Sequence, residues 1–326
     1  MNKPGVPAPG FVNRIGAVVD ERRRVEFRSL ASVELLNRLT DARMPFGWTV
    51  NPYRGCEFGC RYCYARPTHG YLGHVDPDEF EHRIYIKRAD DGRLVARLRK
   101  ARASGEEVAV GTATDPYQPA EGRFAVTRSV LEAIRRVPGL RVGITTKSPA
   151  ITRDLGLLRE IAATSELMVN ISIASKDAAL LRRIEPRAPR PDLRLEAMAT
   201  LTAADVPTRL FAMPVLPFLT DGEAELGALF TAAREAGARE AIWNVLFLRG
   251  ETHGFFLDFI GKEFPHLLAR YRDLYAGGAS AESAYRGRIE KMAERLALEA
   301  QFPGRSRADR IAAERPARSL QLELTW

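Results

Sequence analysis

The stretch NPYRGCEFGCRYCYARPTHGYLG, residues 51–73, holds all three cysteines of the chain, at positions 56, 60 and 63. Thiolates spaced C-x3-C-x2-C reach one centre only from a loop that wraps it, because residues three or four apart on an extended strand point along a line. Gly55 and Gly59 lie in this stretch and can turn backbone N–H groups toward anionic sulfur. Three chemistries draw on such a set. A structural zinc site needs four closed ligands, and His69 or His74 would complete Cys3His at relaxed spacing. A nucleophilic cysteine needs an adjacent base rather than two further thiols. An iron-sulfur cluster held by Cys56, Cys60 and Cys63 leaves one iron without a protein ligand, and an open metal position is a place for chemistry. Three cysteines cannot all pair, and a reducing compartment keeps thiols free, so a disulfide staple fits least.

The elements that must position this loop read as an α/β fold. Short apolar runs at 48–52, 107–112, 141–146, 166–173, 208–216 and 240–247 alternate with amphipathic stretches, the pattern of βα units around a parallel sheet. Helical periodicity runs through DGRLVARLRKAR, TRSVLEAIRRV, ITRDLGLLREIAA, KDAALLRRI, RLEAMATLTAA and EAELGALFTAAREAG. With right-handed crossovers, six such units curl into an incomplete barrel or wind an open sheet. RIYIK (83–87) is an additional edge strand or part of the long first crossover. After Arg249 only helical patterns follow, FPHLLARYRDLYAGG and AYRGRIEKMAERLALEAQF, before a tail ending LQLELTW that could dock on the domain. Pro and Gly in the opening decade read as a loose arm, and the first 40 or so residues as irregular. The expected organisation is an arm over 1–45, a barrel over 46–250 and a helical extension with its tail over 251–326.

Composition narrows the function classes. At 45% hydrophobic and 28% charged residues the chain is that of an ordinary folded protein. The N-terminus lacks the apolar core of a signal peptide, and no segment approaches the roughly 18 apolar residues of a membrane span. A cytoplasmic protein without membrane partners is expected. The net charge of +8 permits nucleic acid as a partner without requiring it. ERRR (21–24) and RLVARLRKAR (93–102) are candidate phosphate contacts, although solvated helix faces carry such runs more often.

Cys56, Cys60 and Cys63, with aromatic Tyr62 directly before the last, resemble the cluster-binding signature of the radical S-adenosylmethionine (radical SAM) enzymes. The resemblance spans about residues 48–248. It implies a partial (β/α)6 TIM-like barrel, here flanked by the irregular N-terminal arm and the helical C-terminal extension. It also implies a 4Fe-4S cluster whose fourth iron binds S-adenosyl-L-methionine, and an external flavodoxin- or ferredoxin-like electron donor. Reductive cleavage of the cofactor would give a 5′-deoxyadenosyl radical that takes hydrogen from a substrate. CRYCYAR and the strand ends GTATDPYQP, ITTKSP and NISIAS resemble the spore photoproduct lyase branch, so a nucleic-acid substrate and DNA-lesion repair are carried as one alternative. A zinc-stabilised nucleic-acid-binding protein is the other.

Residues at the carboxyl ends of barrel strands face the active site. By resemblance Thr114 and Asp115 stand where the family holds the cofactor's amino group, and Lys147 where its carboxylate is paired. An Asx turn at Asp115-Pro116 accounts for Asp115 equally well. Ser172 matches a hydroxyl of the same face, whereas Ser175 reads equally as a helix N-cap. Glu185 and Arg194 fall near the implied cofactor ribose, with solvated salt bridges as the plain alternative. Asn244 is expected to be a buried amide available to adenine or substrate. One departure stands out: where the lyase has a cysteine that returns hydrogen to the product radical, this chain has Thr112. A hydroxyl O–H bond is too strong for that role, which leaves the phenol of Tyr64 as the candidate catalytic donor.

Overall fold

The computed structural model describes residues 15–303 apart from residues 23, 32–33, 40–43 and 89. The opening decade and the LQLELTW tail lie outside the described residues. Eleven strands are present among those described: β1 (Ile15–Arg22), β2 (Val25–Ala31), β3 (Leu36–Arg38), β4 (Trp48–Val50), β5 (Tyr53–Arg54), β6 (Arg83–Arg88), β7 (Val108–Val110), β8 (Arg141–Thr146), β9 (Glu166–Ser172), β10 (Thr208–Val215) and β11 (Glu240–Val245). All six strands expected from apolar runs are found, as β4, β7, β8, β9, β10 and β11. They lie in one sheet in the order β11-β10-β9-β8-β7-β4-β3, so each βα unit adds its strand beside the previous one. β4 pairs parallel with β7, β7 with β8 and β10 with β11, while β3 runs antiparallel to β4. Successive addition without reversal is the winding of barrel-type α/β folds rather than of doubly wound sheets.

The helices between strands start where the chain supplies caps. The Asp90 carboxylate accepts from the Arg93 amide at 2.8 Å and opens the helix Asp91–Ser104, which Gly105 closes in the left-handed region. Asp177 does the same for Ala178–Ile184, accepting from the Ala179 and Leu180 amides. Beyond the expected helices, Glu251–Glu263 is helical as well. Its sequence carries Gly254 and Gly261, which weaken the helical signal without preventing packing through Phe256 and Ile260.

Residues 15–31 depart from expectation. Instead of an irregular arm, residues 15–31 form an antiparallel pair, β1 with β2, in which Arg22 stands opposite Val25. The turn is closed by Arg24 at φ 69° rather than by the Gly or Asn that ordinarily signals a hairpin, which is why the sequence concealed it. β2 pairs parallel with β6, and β6 antiparallel with β5, giving a second sheet in the order β1-β2-β6-β5. RIYIK therefore lies within the long first crossover, as one of its two expected readings had it, and is an interior strand of a separate sheet rather than an edge strand. Period-2 alternation sends Val25, Phe27, Tyr53, Ile84 and Ile86 into one core and Leu30 and Tyr85 toward Leu72 on the other face. Each such side chain contributes about 1.5–3 kcal/mol by leaving water.

The described residues divide into two compact units. One comprises the chain through Gly59 together with Ala65–Val169; the other takes Cys60–Tyr64 and the chain from Asn170 onward. No helix among the described residues is long and apolar enough to cross a membrane.

In the first unit His69 and His74 are already engaged. His69, 1% exposed, donates from Nε2 to the Arg83 carbonyl at 2.8 Å. His74 meets the Tyr85 hydroxyl through Nε2 at 2.5 Å and Glu79 through Nδ1 at 2.8 Å. Because a carbonyl can only accept, Nδ1 of His69 carries no proton, and this buried atom has no hydrogen-bond partner among the described residues. Burial, with positive neighbours, pushes the His69 pKa down to about 3 from an ordinary 6.5. The unfolded chain then binds a proton that the folded chain does not between those two values, so stability rises with pH there. Urea melts are expected to show His69 contributing up to about 1.4 kcal/mol per pH unit between pH 6.5 and 3, a slope that His69→Phe removes.

Candidate metal and cofactor site

The cysteine loop leaves β5 through Gly55, whose φ of +86° suits only glycine. A Cβ there would lie 2.7 Å from the Arg83 carbonyl oxygen and 2.8 Å from that of Phe80. This close approach lets the Cys56 amide donate to Phe80 O at 2.9 Å. From the other side the Gly55 carbonyl accepts from Thr114 Oγ1 at 2.6 Å and Gln118 Nε2 at 3.1 Å. Gln118 also accepts from the Glu57 amide, and the Glu57 carboxylate accepts from the Ala120 amide at 2.7 Å. Behind the loop, Asn51 Nδ2 donates to Thr112 Oγ1 at 3.0 Å while its Oδ1 accepts from the Ala113 amide. Tyr53 OH donates to buried Glu121 at 2.5 Å, and Glu121 in turn accepts from the Thr127 and Arg128 amides. Sequence reasoning missed Asn51, Glu57, Gln118 and Glu121, because polar residues that bond partners about 60 positions away leave no local pattern.

The later part of the loop, Cys60–Tyr64, packs within the second unit. The Arg61 amide donates to Ile184 O at 2.9 Å. Tyr62 OH donates to Glu185, which also receives Arg194 Nη2 at 2.5 Å. Arg194 completes its set with Ser172 O at 2.9 Å and Pro189 O at 2.8 Å. Tyr62, Glu185 and Arg194 are 7%, 1% and 1% exposed, so the solvated salt bridges entertained for Glu185 and Arg194 are replaced by a buried pair. Arg is suited to this because its fork can serve a carboxylate and two carbonyls at once. Burial first, and Glu185 next, push the Tyr62 pKa well up, which keeps its proton on the phenol.

The other sequence candidates fall as follows. Asp115 forms the Asx turn, accepting from the Tyr117 amide at 2.9 Å. It also accepts from Thr146 Oγ1 and from the Lys147 amide, both at 2.7 Å. Burial raises its pKa, against which these three hydrogen bonds work. Asp115 thereby fixes the backbone that carries Lys147. Ser172 is buried beside Met213 O, and Ser175 accepts from the Asp177 amide. Tyr64 is 56% exposed. Asn244 is not buried: the alternation of β11 turns Ala241, Trp243 and Val245 inward and leaves Asn244 exposed on the opposite face.

Cys56, Cys60 and Cys63 are each half-buried, and none is in a disulfide. Among the described residues no group of three or more His, Cys, Asp and Glu side chains is gathered as around a single metal ion. A cluster makes a different demand, since each thiolate binds an iron of its own. Three half-buried cysteines, soft sulfur donors on a loop braced at Gly55 with Gly59 also in the left-handed region, fit that demand by donor type.

Residues 50–230 match the model of the Radical SAM superfamily, and the chain belongs to that family. It is a radical SAM enzyme, a class whose chemistry uses S-adenosylmethionine and an iron-sulfur cluster. Over 295 residues it is 36% identical to Uncharacterized protein Rv2578c of Mycobacterium tuberculosis, covering 90% of this chain and 85% of that one. Uncharacterized protein MJ0683 of Methanocaldococcus jannaschii is 27% identical over 180 residues, 55% of this chain and 64% of its own. The fold is shared with spore photoproduct lyase complexed with dinucleoside spore photoproduct, at TM-score 0.62 and 16% identity over 85% of this chain and 80% of that one.

Arg194→Met leaves the Glu185 carboxylate buried without its cation. It is expected to cost about 3–5 kcal/mol in denaturant unfolding, with Glu185→Gln added to it recovering part of the loss.

Proposed function

We propose that Cys56, Cys60 and Cys63 hold a 4Fe-4S cluster with one iron open to S-adenosylmethionine, and that the enzyme abstracts hydrogen from its substrate. The carrying observation is the set of three half-buried cysteines, the only ones in the sequence, on a loop braced by Gly55. When bound and reduced, such a cluster supplies the electron that cleaves the cofactor to a 5′-deoxyadenosyl radical. The protein's part is to orient and to exclude water. In this reading Lys147 pairs with the cofactor carboxylate, and Asp115 holds the turn that presents it. Thr114 braces the loop and is the residue for the cofactor's amino group, and Ser172, at the end of β9, is a further hydroxyl for cofactor binding. Tyr62, Glu185 and Arg194 shape the later part of the loop, their polar ends being engaged with one another and with the backbone. The exposed amide of Asn244 is left to substrate contact. A flavodoxin- or ferredoxin-like protein is the proposed electron source, and residues 46–250 the proposed catalytic domain.

Thr112 bonds Asn51 and cannot return a hydrogen atom, whereas Tyr64 presents an exposed phenol. Both features support a reaction in which Tyr64 is the donor, or in which none is needed.

Anaerobic reconstitution with iron and sulfide, then dithionite and S-adenosylmethionine, is expected to yield 5′-deoxyadenosine. Replacing any one of the three cysteines by Ala is expected to reduce the product by at least about a hundredfold. Its complete absence from wild-type protein carrying an intact cluster would contradict the proposal.

A further inference from the structure

Many exposed arginines of the described residues are neutralised on the surface: Arg135 by Glu160, Arg141 by Glu166, Arg183 by Glu263 and Arg190 by Asp192. Others, among them Arg93, Arg99, Arg159, Arg270, Arg272 and Arg288, are not; Arg270 and Arg288 stand out from these by what they lie over. Both are exposed and neither is in an ion pair among the described residues; each instead lies over an aromatic ring. The Arg270 guanidinium carbon is 3.8 Å from the centroid of Phe218, and that of Arg288 is 4.9 Å from the centroid of Tyr285. The two rings are neighbours, 5.9 Å apart. The result is a continuous row, Arg270, Phe218, Tyr285, Arg288, within the second unit.

The row is built on a backbone that resists relaxation. Phe218 has φ 63°, a left-handed conformation that a bulky residue enters only under strain. It sits at the apex of the turn that follows β10, at the carboxyl end of a parallel strand, where barrel enzymes place binding residues. The turn is tied internally by Thr220 Oγ1 accepting from the Leu216 amide at 2.8 Å and by the Thr220 amide donating to Leu216 O. Helical tyrosines tie it from outside: Tyr271 OH donates to Pro217 O at 2.5 Å, and Tyr285 OH to Asp221 at 2.6 Å. Tyr271 also packs edge-on against Phe218 at 5.6 Å. Packing alone would be served by Leu at an ordinary φ. A half-buried ring held in a strained turn beneath an exposed guanidinium instead offers a cationic, aromatic surface suited to a base and a phosphate.

We propose that this row is a contact surface for single-stranded nucleic acid, in which a base stacks on the Phe218 and Arg270 plane while Arg288 takes an adjacent phosphate. The assignment deepens the proposed function by naming the class of partner. Binding itself does not need the cluster, so the two claims fail separately. It also gives a use to Pro217–Asp221 and the helices after Arg249, in which the sequence shows no chemical motif.

The test is fluorescence anisotropy of a labelled dT 12-mer with the reconstituted holoenzyme across a salt series. The wild type is expected to bind with an affinity that falls as salt rises. Arg270→Gln with Arg288→Gln is expected to weaken binding by about tenfold or more and to flatten the salt slope by about 0.7 for each phosphate that is no longer neutralised. Phe218→Leu is expected to weaken binding with the slope unchanged, because stacking does not neutralise a phosphate. All variants should keep substrate-free 5′-deoxyadenosine formation, which separates this surface from the cluster. Wild-type binding by the double arginine variant, no salt-sensitive binding at low ionic strength, or dTMP competing as tightly as the 12-mer would overturn the assignment.

Discussion

Gly55 is where two carbonyl oxygens, those of Arg83 and Phe80, come within 3 Å of where a Cβ would be. Only a residue without that carbon lets β5 end against β6 and hand the chain to Cys56 in a fixed direction. The constraint propagates: the Gly55 carbonyl is turned toward Thr114 and Gln118, and Gln118 reaches on to the Glu57 amide. A loop meant to receive a metal group gains affinity when its geometry exists beforehand, because the ordering entropy has been met by folding. The second sheet has a purpose in this light. It supplies β6, the strand that fixes where the cysteine loop begins.

The later part of the loop is held by different physics. Glu185 and Arg194 form a charge pair at 1% exposure, with the remaining hydrogen-bonding capacity of the arginine given to the Ser172 and Pro189 carbonyls. Such a pair adds little net stability over apolar residues of the same size. What it adds is direction: Tyr62, adjacent to Cys63, has Glu185 as its hydrogen-bond acceptor, and the Arg61 amide meets Ile184 one residue earlier. Residues that the sequence marks as prospective cofactor contacts thus serve the backbone that carries the thiolates.

How much was legible follows from the range of each interaction. Strands β4, β7 and β8–β11 appeared as apolar runs because burial on a parallel sheet is recorded residue by residue. Helix starts at Asp90 and Asp177 were equally local. The hairpin of β1 and β2 was hidden because Arg24 occupies a conformation that glycine normally advertises, and whether RIYIK, inside the first crossover, lies at an edge or in the interior of a sheet is not written in it because pairing partners are not encoded in a single strand. Asn244 is exposed rather than buried for a smaller reason: one step of register decides which face of β11 a side chain takes. The cysteines were found at once because spacing is local. The polar residues that brace them lie tens of positions away, and only the fold brings them near.

The central claim is that three thiolates hold a cluster whose fourth iron is free for S-adenosylmethionine. Electron paramagnetic resonance of the anaerobically reconstituted, dithionite-reduced protein tests it most directly, with and without the cofactor. The account predicts a spin-½ 4Fe-4S signal whose g values move when S-adenosylmethionine is added. A colourless protein containing one zinc per chain, or a cluster signal indifferent to the cofactor, would contradict it.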